Sequence, residues 1–418
     1  MKKKIILAIS MACSLFAANS QTFLSLDSIL NEIQRVNPEL RIYDAEIRAS
    51  NEAAKGARNW MPPEIGTGLW MVPYSPKYWK KGDDGSFGMG QYQVYFQQMF
   101  PNKRKSDADE KYLESVSSAD VERKKAAFNN LIAEAKKNYY EWIIIKKKLA
   151  ILDLDDKLLH FMIQSAGIRY RNGLGKINAY YKVQAALGNI MKMRIMLEND
   201  MKQRRIRLNM LMNRDKLLEF DIDTLYTVRD YSNAVFDSAA IYGVRSDIRA
   251  IDQEIRVNAL QQIAEQAKLK PEFGLRYEHM FGFGGLPMQY SLMGMVRIPM
   301  AKWSSRNTKA NVESMRWKAA SLEEQKQMIV NEATGQASAL QNDIESKKKQ
   351  LKLFEENIIP ALQKNFQTMQ LAYEQNTEEL FSLFDAWETL NMTQLEWLQQ
   401  LQELLVMQTE LERIIEIK

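Results

Sequence analysis

The chain has 418 residues, 46% hydrophobic and 26% charged, with a formal net charge of +5. Lys2, Lys3 and Lys4 supply three of those charges, so a chain without its first residues is close to neutral (about +2), and no basic face marks a nucleic-acid binder. Cys13 is the one cysteine. This excludes a disulfide framework and cysteine chemistry in the rest of the chain.

Residues 1–20 have the form of a secretory signal peptide: Met1-Lys2-Lys3-Lys4, a short apolar run from Ile5, then small residues to Ala18-Asn19-Ser20. Cys13 stands where a lipoprotein cysteine could, but Ser10-Met11-Ala12 before it lacks the aliphatic residue such a site needs. A helical stretch follows that contains Asn37-Pro38, and Pro63 leads into alternating residues. The first paired strands, 63–100, are joined by a polar loop with Lys77, Lys80, Lys81, Asp83 and Asp84. In the first strand Ile65, Thr67 and Leu69 interleave with Glu64, Gly66 and Gly68; in the second Tyr92, Val94 and Phe96 interleave with glutamines. Residues 103–170 contain no proline and only Gly167, so a helix of roughly 100 Å is expected at about 1.5 Å per residue. Its apolar residues Ile145, Leu149, Leu152, Leu159 and Ile163 step by fours and threes, as in a coiled coil. The turn Tyr170-Arg171-Asn172-Gly173-Leu174-Gly175 ends it, and a returning helix runs to about 212.

The polar stretch 213–230 links this segment to a second one of the same layout. A helix leads to Pro271, strands occupy 271–299, and long helices fill 304–415 around Pro360 and the turn Tyr373-Glu374-Gln375-Asn376-Thr377. Arg41 and Arg249, Asp44 and Asp252, Arg48 and Arg256, and Pro63 and Pro271 are all about 208 residues apart, the mark of an internal duplication. The domain organisation is therefore a signal peptide, a first repeat at 21–230 and a second at 231–418. Gly173 and Asn376 fall at equivalent helix ends and are suited to a left-handed conformation. Pro360 is expected to remove a backbone hydrogen bond and bend its helix.

No segment approaches about 18 consecutive apolar residues; Trp142-Ile143-Ile144-Ile145 runs directly into three lysines. A membrane crossing must then be a closed barrel. Three features favour one: charges at mid-strand on the polar face, strand runs of roughly 9–11 residues, and aromatics at strand ends (Trp70, Tyr74, Tyr78, Trp79, Phe281, Phe283). Four strands cannot close alone, since about eight is the practical minimum, so copies of the chain must assemble.

Catalytic and metal chemistry is not in view. The two histidines, His160 and His279, are far apart in sequence and have no convergent ligands. The glycines at 282–285 join strands and do not open a helix, so no phosphate loop is expected. Met191, Met193, Met196 and Met201 cluster on one helix. Thioethers suit Cu(I), but methionine more commonly fills irregular helix contacts.

Taken in order, Asn37-Pro38, Pro63 and Pro271, Met99-Phe100-Pro101 with Lys103 and Arg104, Ile298-Pro299 with Arg306, Pro360, and Tyr170-x-x-Gly173-Leu174 with its copy at Tyr373 resemble the TolC-like outer-membrane efflux proteins. The resemblance implies a mainly α fold with a small β part. In such a homotrimer each protomer gives four transmembrane strands to one barrel in outer-membrane lipid, and a long α-helical barrel continues it into the periplasm. It implies a periplasmic adaptor protein and an inner-membrane transporter as partners, no enzyme activity and no cofactor. By resemblance Gly173, Leu174, Asn376 and Thr377 form an adaptor-docking tip, while Asp385, Ser382 and Tyr373 belong to the periplasmic aperture. The family's paired aperture carboxylates correspond to Ser382 and Asp385, and its closing aspartate and arginine to Ala179 and Glu378. A lock built from the same bonds is therefore not expected. Two alternatives remain at this level: a soluble periplasmic coiled-coil adaptor or structural protein, and an outer-membrane conduit for protein secretion.

Overall fold

The computed structural model describes residues 23–173 and 176–417. The expected signal peptide (residues 1–20), Cys13 and Leu174 lie outside the described residues.

The chain runs β1 (Phe23–Leu24), α1 (Leu26–Val36), α2 (Pro38–Ala54), β2 (Glu64–Trp70), β3 (Gln91–Phe100), α3 (Lys103–Arg171), α4 (Ile177–Leu211) and β4 (Asp221–Ile222). It continues with α5 (Ser238–Val244), α6 (Ser246–Ala267), β5 (Glu272–Gly282), β6 (Gln289–Arg297), α7 (Arg306–Leu353), α8 (Ile359–Glu374) and α9 (Leu380–Ile414). The fold is mainly helical with a small β part, as expected. Its contacts divide it into two units, one made of Ile42–Lys125 with Ser246–Asn331 and the other of the remaining described chain.

The first unit contains an antiparallel sheet in the order β2-β3-β5-β6. Strand β2 has 7 residues, shorter than expected, against 10, 11 and 9 in the others. Register places Ile65 beside Phe96, Phe96 beside Tyr277 and Tyr277 beside Leu292. All four are exposed, Ile65 at 73% and Leu292 at 62%. The opposite face is polar. Glu272 accepts from Lys105 Nζ at 2.7 Å and from Arg297 at 3.1 Å, while Arg276 pairs with Glu278 and lies over the Tyr95 ring at 4.1 Å. Gly66 faces Tyr95 across the strands, where a Cβ would overlap the tyrosine ring.

Helices enter and leave this sheet through polar caps. The Asn102 side chain donates to Pro271 O (3.0 Å) and accepts from Arg104 N–H (3.0 Å), capping the first turn of α3. The loop after β2 is pinned to the one after β5. Trp79 stacks on Phe283 (5.8 Å), Gly88 N–H reaches Gly284 O (2.9 Å), and a Cβ on Gly284 would come within 2.6 Å of Gly88 Cα. Two aspartates about 208 residues apart in sequence make the same kind of contact: Asp44 accepts from Lys124 on α3 and Asp252 from Lys326 on α7.

In the second unit, Asn37-Pro38 interrupts the expected first helix. Asn37 ends α1, its amide donates to Leu211 O (2.9 Å) and its carbonyl oxygen caps Glu39 N–H (2.9 Å), while Pro38 starts α2 without needing a donor. The polar linker is partly ordered too, since β4 pairs in parallel with β1. Trp142, Ile143 and Ile144 are buried, with Trp142 edge-on to Phe220 (5.1 Å) and Lys146 held by Asp221 (2.8 Å). No helix among the described residues is long and apolar enough to cross a membrane. Pro360 does not end its helix. The preceding turn, Phe354–Ile358, is a π turn, and Ile359 N–H reaches back to Phe354 O. A wider turn lets the chain pass the missing donor and the ring without breaking.

A buried ion network ties α3 to α9. Glu412, 3% exposed, accepts from Lys136 Nζ (2.6 Å) and Tyr231 Oη (2.7 Å), with Arg229 at 3.2 Å. Removing one partner of a buried pair leaves an uncompensated charge, which costs about 3–5 kcal/mol. Glu412→Ala is expected to lose that amount in denaturant unfolding followed by helical circular dichroism, and Glu412→Leu combined with Lys136→Met to recover most of it. A loss below about 1 kcal/mol, the level of an exposed pair, contradicts this.

Candidate functional site at the helix turns

At the described residues of the two turns expected to match, Gly173 and Asn376 share a left-handed conformation. Gly173 has φ +70 and Asn376 φ +59. At the second turn Thr377 N–H bonds Ala372 O (2.9 Å) and Asn376 N–H bonds Tyr373 O (3.1 Å), the paired closure that satisfies the last carbonyls of a helix. At the first, Gly173 N–H bonds Tyr170 O (3.0 Å). An open cleft of about 820 Å³ lies at these turns, lined by Gly173, Tyr373, Asn376, Thr377 and Ser382 among others. Five of the expected site residues are thus brought together. Asp385 is not among them: it sits one turn further along α9, exposed.

Tyr373 is 4% exposed, and its hydroxyl meets Ser165 Oγ at 2.6 Å. It braces α8 against α3 and is not a free lining group. Arg169 completes the brace: its guanidinium lies 4.6 Å from the Tyr373 ring centroid and donates to Asn376 Oδ1 at 2.6 Å. At the positions of the family's lock, Ala179 packs partly buried against the core and Glu378 is exposed. On the far side of the cleft Lys176 lies 3.9 Å from Glu379, a pair open to solvent on both sides and of little energetic weight.

Beneath the cleft, Leu152, Leu159, Leu187, Leu383 and Phe384 form a core with Trp387. Asp155 is buried within it. Trp387 Nε1 donates to Asp155 Oδ1 at 2.7 Å, and Asp155 Oδ2 has no partner. Burial pushes this carboxyl above its usual range, and the indole hydrogen bond offsets only part of the effect. On α4, Lys182 Nζ lies 4.2 Å from the Phe381 ring centroid and 4.5 Å from that of Phe384.

Sequence reasoning missed Arg169, Lys182 and Asp155. For Asp155 a signal existed: it falls three residues after Leu152 and four before Leu159, on the apolar stripe itself. Arg169 and Lys182 carry no such mark. Met191, Met193 and Met196 are exposed on α4, so none of them is part of the protomer's core. His160 is also exposed, 3.9 Å from Asp156, and His279 lies edge-on to Phe281 at 4.5 Å in the sheet.

The fold thus joins, in sequence, a sheet apolar on one face and charged on the other to very long helices that return through turns. A scan against protein-family models gives no match, and a sequence comparison with curated proteins gives none. Solved structures do match. The outer-membrane channel OprN is 14% identical with a TM-score of 0.73, over 93% of this chain and 89% of that one. VceC, an outer-membrane protein of Vibrio cholerae, is 14% identical with a TM-score of 0.71, over 93% and 95%. The Campylobacter jejuni outer-membrane channel CmeC is 10% identical with a TM-score of 0.73, over 93% and 85%. The chain has the fold of the TolC-type outer-membrane channels.

The raised Asp155 carboxyl makes the helical unit pH-sensitive. An acid with a raised folded pKa binds more protons folded than unfolded, so stability falls as pH rises from about 3.9, its unfolded value, through the folded one. Asp155→Asn keeps an acceptor for Trp387 and removes the titration. Its melting temperature is expected to gain on the parent protein as pH rises through that window and to run parallel above it. A difference independent of pH from about 4 upward rules out the carboxyl as the cause.

Proposed function

We propose that this chain is one protomer of a homotrimeric outer-membrane channel in a tripartite efflux system. It catalyses nothing; it is a conduit for substrates, drugs or metal ions, delivered by an inner-membrane transporter and a periplasmic adaptor protein. The observation that carries the proposal is the sheet. One face is largely apolar and exposed, and the outer edges of β2 and β6 have no partner strand among the described residues. Open edges are not tolerated in lipid, and three copies supply about 12 strands, enough to close a barrel. Aromatics on the apolar face at both ends of the strands fit two interfacial girdles: Tyr92 and Phe281, 6.3 Å apart, at one, and Phe100 with Trp60, edge-to-face at 5.4 Å, at the other.

In this reading β2, β3, β5 and β6 sit in outer-membrane lipid and the long helices continue the passage into the periplasm. The chain is organised as two repeats, 21–230 and 231–418. The turns at Gly173-Leu174 and Asn376-Thr377 form the surface that the adaptor meets. Asp385 lines the aperture near Ser382, with Tyr373 bracing the turn behind it. Three carboxylates around one axis attract cations.

Two experiments test this. The protein is expected in detergent-extracted outer membranes as a heat-sensitive oligomer. Leu292→Arg, placing a charge on the lipid face at a cost of about 2–4 kcal/mol near the midplane, is expected to abolish that oligomer; a water-soluble monomer without detergent refutes the channel. In planar bilayers Asp385→Ala is expected to raise single-channel conductance and remove block by divalent cations, and unchanged block removes Asp385 from the aperture.

A further inference from the structure

We infer that Lys182 and the Asp155–Trp387 pair are positioning residues that clamp the first turns of α9 from two sides and thereby set where the Asp385 carboxylate stands. The inference rests on the aperture reading of Asp385 given above. Phe381, Phe384, Trp387 and Glu388 bracket Asp385 within one turn on either side. From α4, the Lys182 ammonium lies over the Phe381 and Phe384 rings and 3.9 Å from Glu388 Oε2. A cation over two ring faces is attracted by both quadrupoles. From α3, Asp155 accepts the Trp387 indole hydrogen at 2.7 Å. Phe384 and Trp387 touch, ring centroids 5.3 Å apart, so the two clamps meet on one face of α9. Asp385 is exposed while Phe384, Ala386 and Trp387 are buried.

Little else polar secures this face. Asp155 Oδ2 and, one turn beyond Trp387, Asn391 Oδ1 are both buried without a hydrogen-bond partner. The first turns of α9, far along the helix from the Glu412 network, are held by these two polar contacts and otherwise by non-directional apolar packing, so losing either lets this end of the helix shift. The clamp also answers why Ala179 and Glu378 form no lock: here the hold on α9 comes from a cation on aromatic rings and an indole on a carboxyl.

The test is single-channel recording of the full protein in planar bilayers, with heat-sensitive oligomer on gels as the check on assembly. Lys182→Met keeps the length of the side chain and loses the cation. It is expected to raise conductance and to raise several-fold the divalent-cation concentration needed for half block. Lys182→Arg, which keeps a cation over the rings, is expected to behave as the parent protein. Trp387→Phe is expected to follow Lys182→Met, and Asp155→Asn, which still accepts the indole hydrogen, to follow the parent. If Lys182→Met does not assemble, Phe381→Leu removes one ring from an exposed position and carries the same expectation. Assembled channels of Lys182→Met and Trp387→Phe with parental conductance and block overturn the clamp, as does Lys182→Arg acting like Lys182→Met. If the same recordings show Asp385→Ala losing block, the aperture reading survives that failure; if Asp385→Ala keeps block, both fall.

Discussion

A four-stranded sheet with two open edges cannot remain in hydrocarbon, because each unpaired backbone group there costs several kcal/mol. This constraint organises the rest of the molecule. On the proposed channel reading it demands further copies of the chain, it sorts side chains by strand parity, and it leaves one face for lipid and one for water. Val94, Phe96, Leu275 and Val296 lie on the first face, while Gln93, Arg276, Glu278 and Arg297 lie on the second. The glycines serve the same end. Gly66 gives Tyr95 a place to lie flat across the sheet, and Gly88 and Gly284 let two loops touch backbone to backbone. Each is a site where a side chain would push strands or loops apart.

The helical unit solves a different problem, that of long helices without a thick globular core. Apolar stripes supply most of the packing, but polar contacts fix register where stripes alone permit sliding. Glu412 fastens α3, α9 and the linker at one level. Asn37 fastens α1 and α2 to the end of α4. Near the turns Arg169 and Tyr373 tie α3 to α8, and Asp155 ties α3 to α9. The tertiary ones among these join residues from 174 to 276 positions apart along the chain, so they define which helices are neighbours more than they define helix formation.

Periodicity made the fold class legible. Alternation over β3 and β5 and steps of three and four in α3 report local geometry directly. The left-handed turns at Gly173 and Asn376 were legible because few residues accept that conformation. What stayed hidden depends on partners distant in sequence. The short pairing of β1 with β4 involves only Phe23–Leu24 and Asp221–Ile222, too few residues for any pattern. The π turn before Pro360 is a compensation that the proline alone does not announce. Arg169 and Lys182 are two among 57 lysines and arginines, and nothing local distinguishes a cation laid on an aromatic ring from one facing water. Tyr373 was found by its place in the turn, but its buried role became apparent only with Ser165 opposite it.

On the proposed reading the polar face of the sheet lines the conduit and bears on what it can select. Arg276 is matched by Glu278, and Glu272 by Lys105 and Arg297, all within one protomer. Charges already paired on the wall bind a passing molecule weakly, because the wall must give up a contact for each one it makes. A wall of this kind suits passage without recognition. On the proposed reading, discrimination by charge then falls to the exposed, singly acidic position at Asp385. Its effect depends on the distance between copies, and that distance is governed by the packing of α9 against α3 and α4. On that reading the buried contacts under α9 matter to permeation as much as the residues that face the passage.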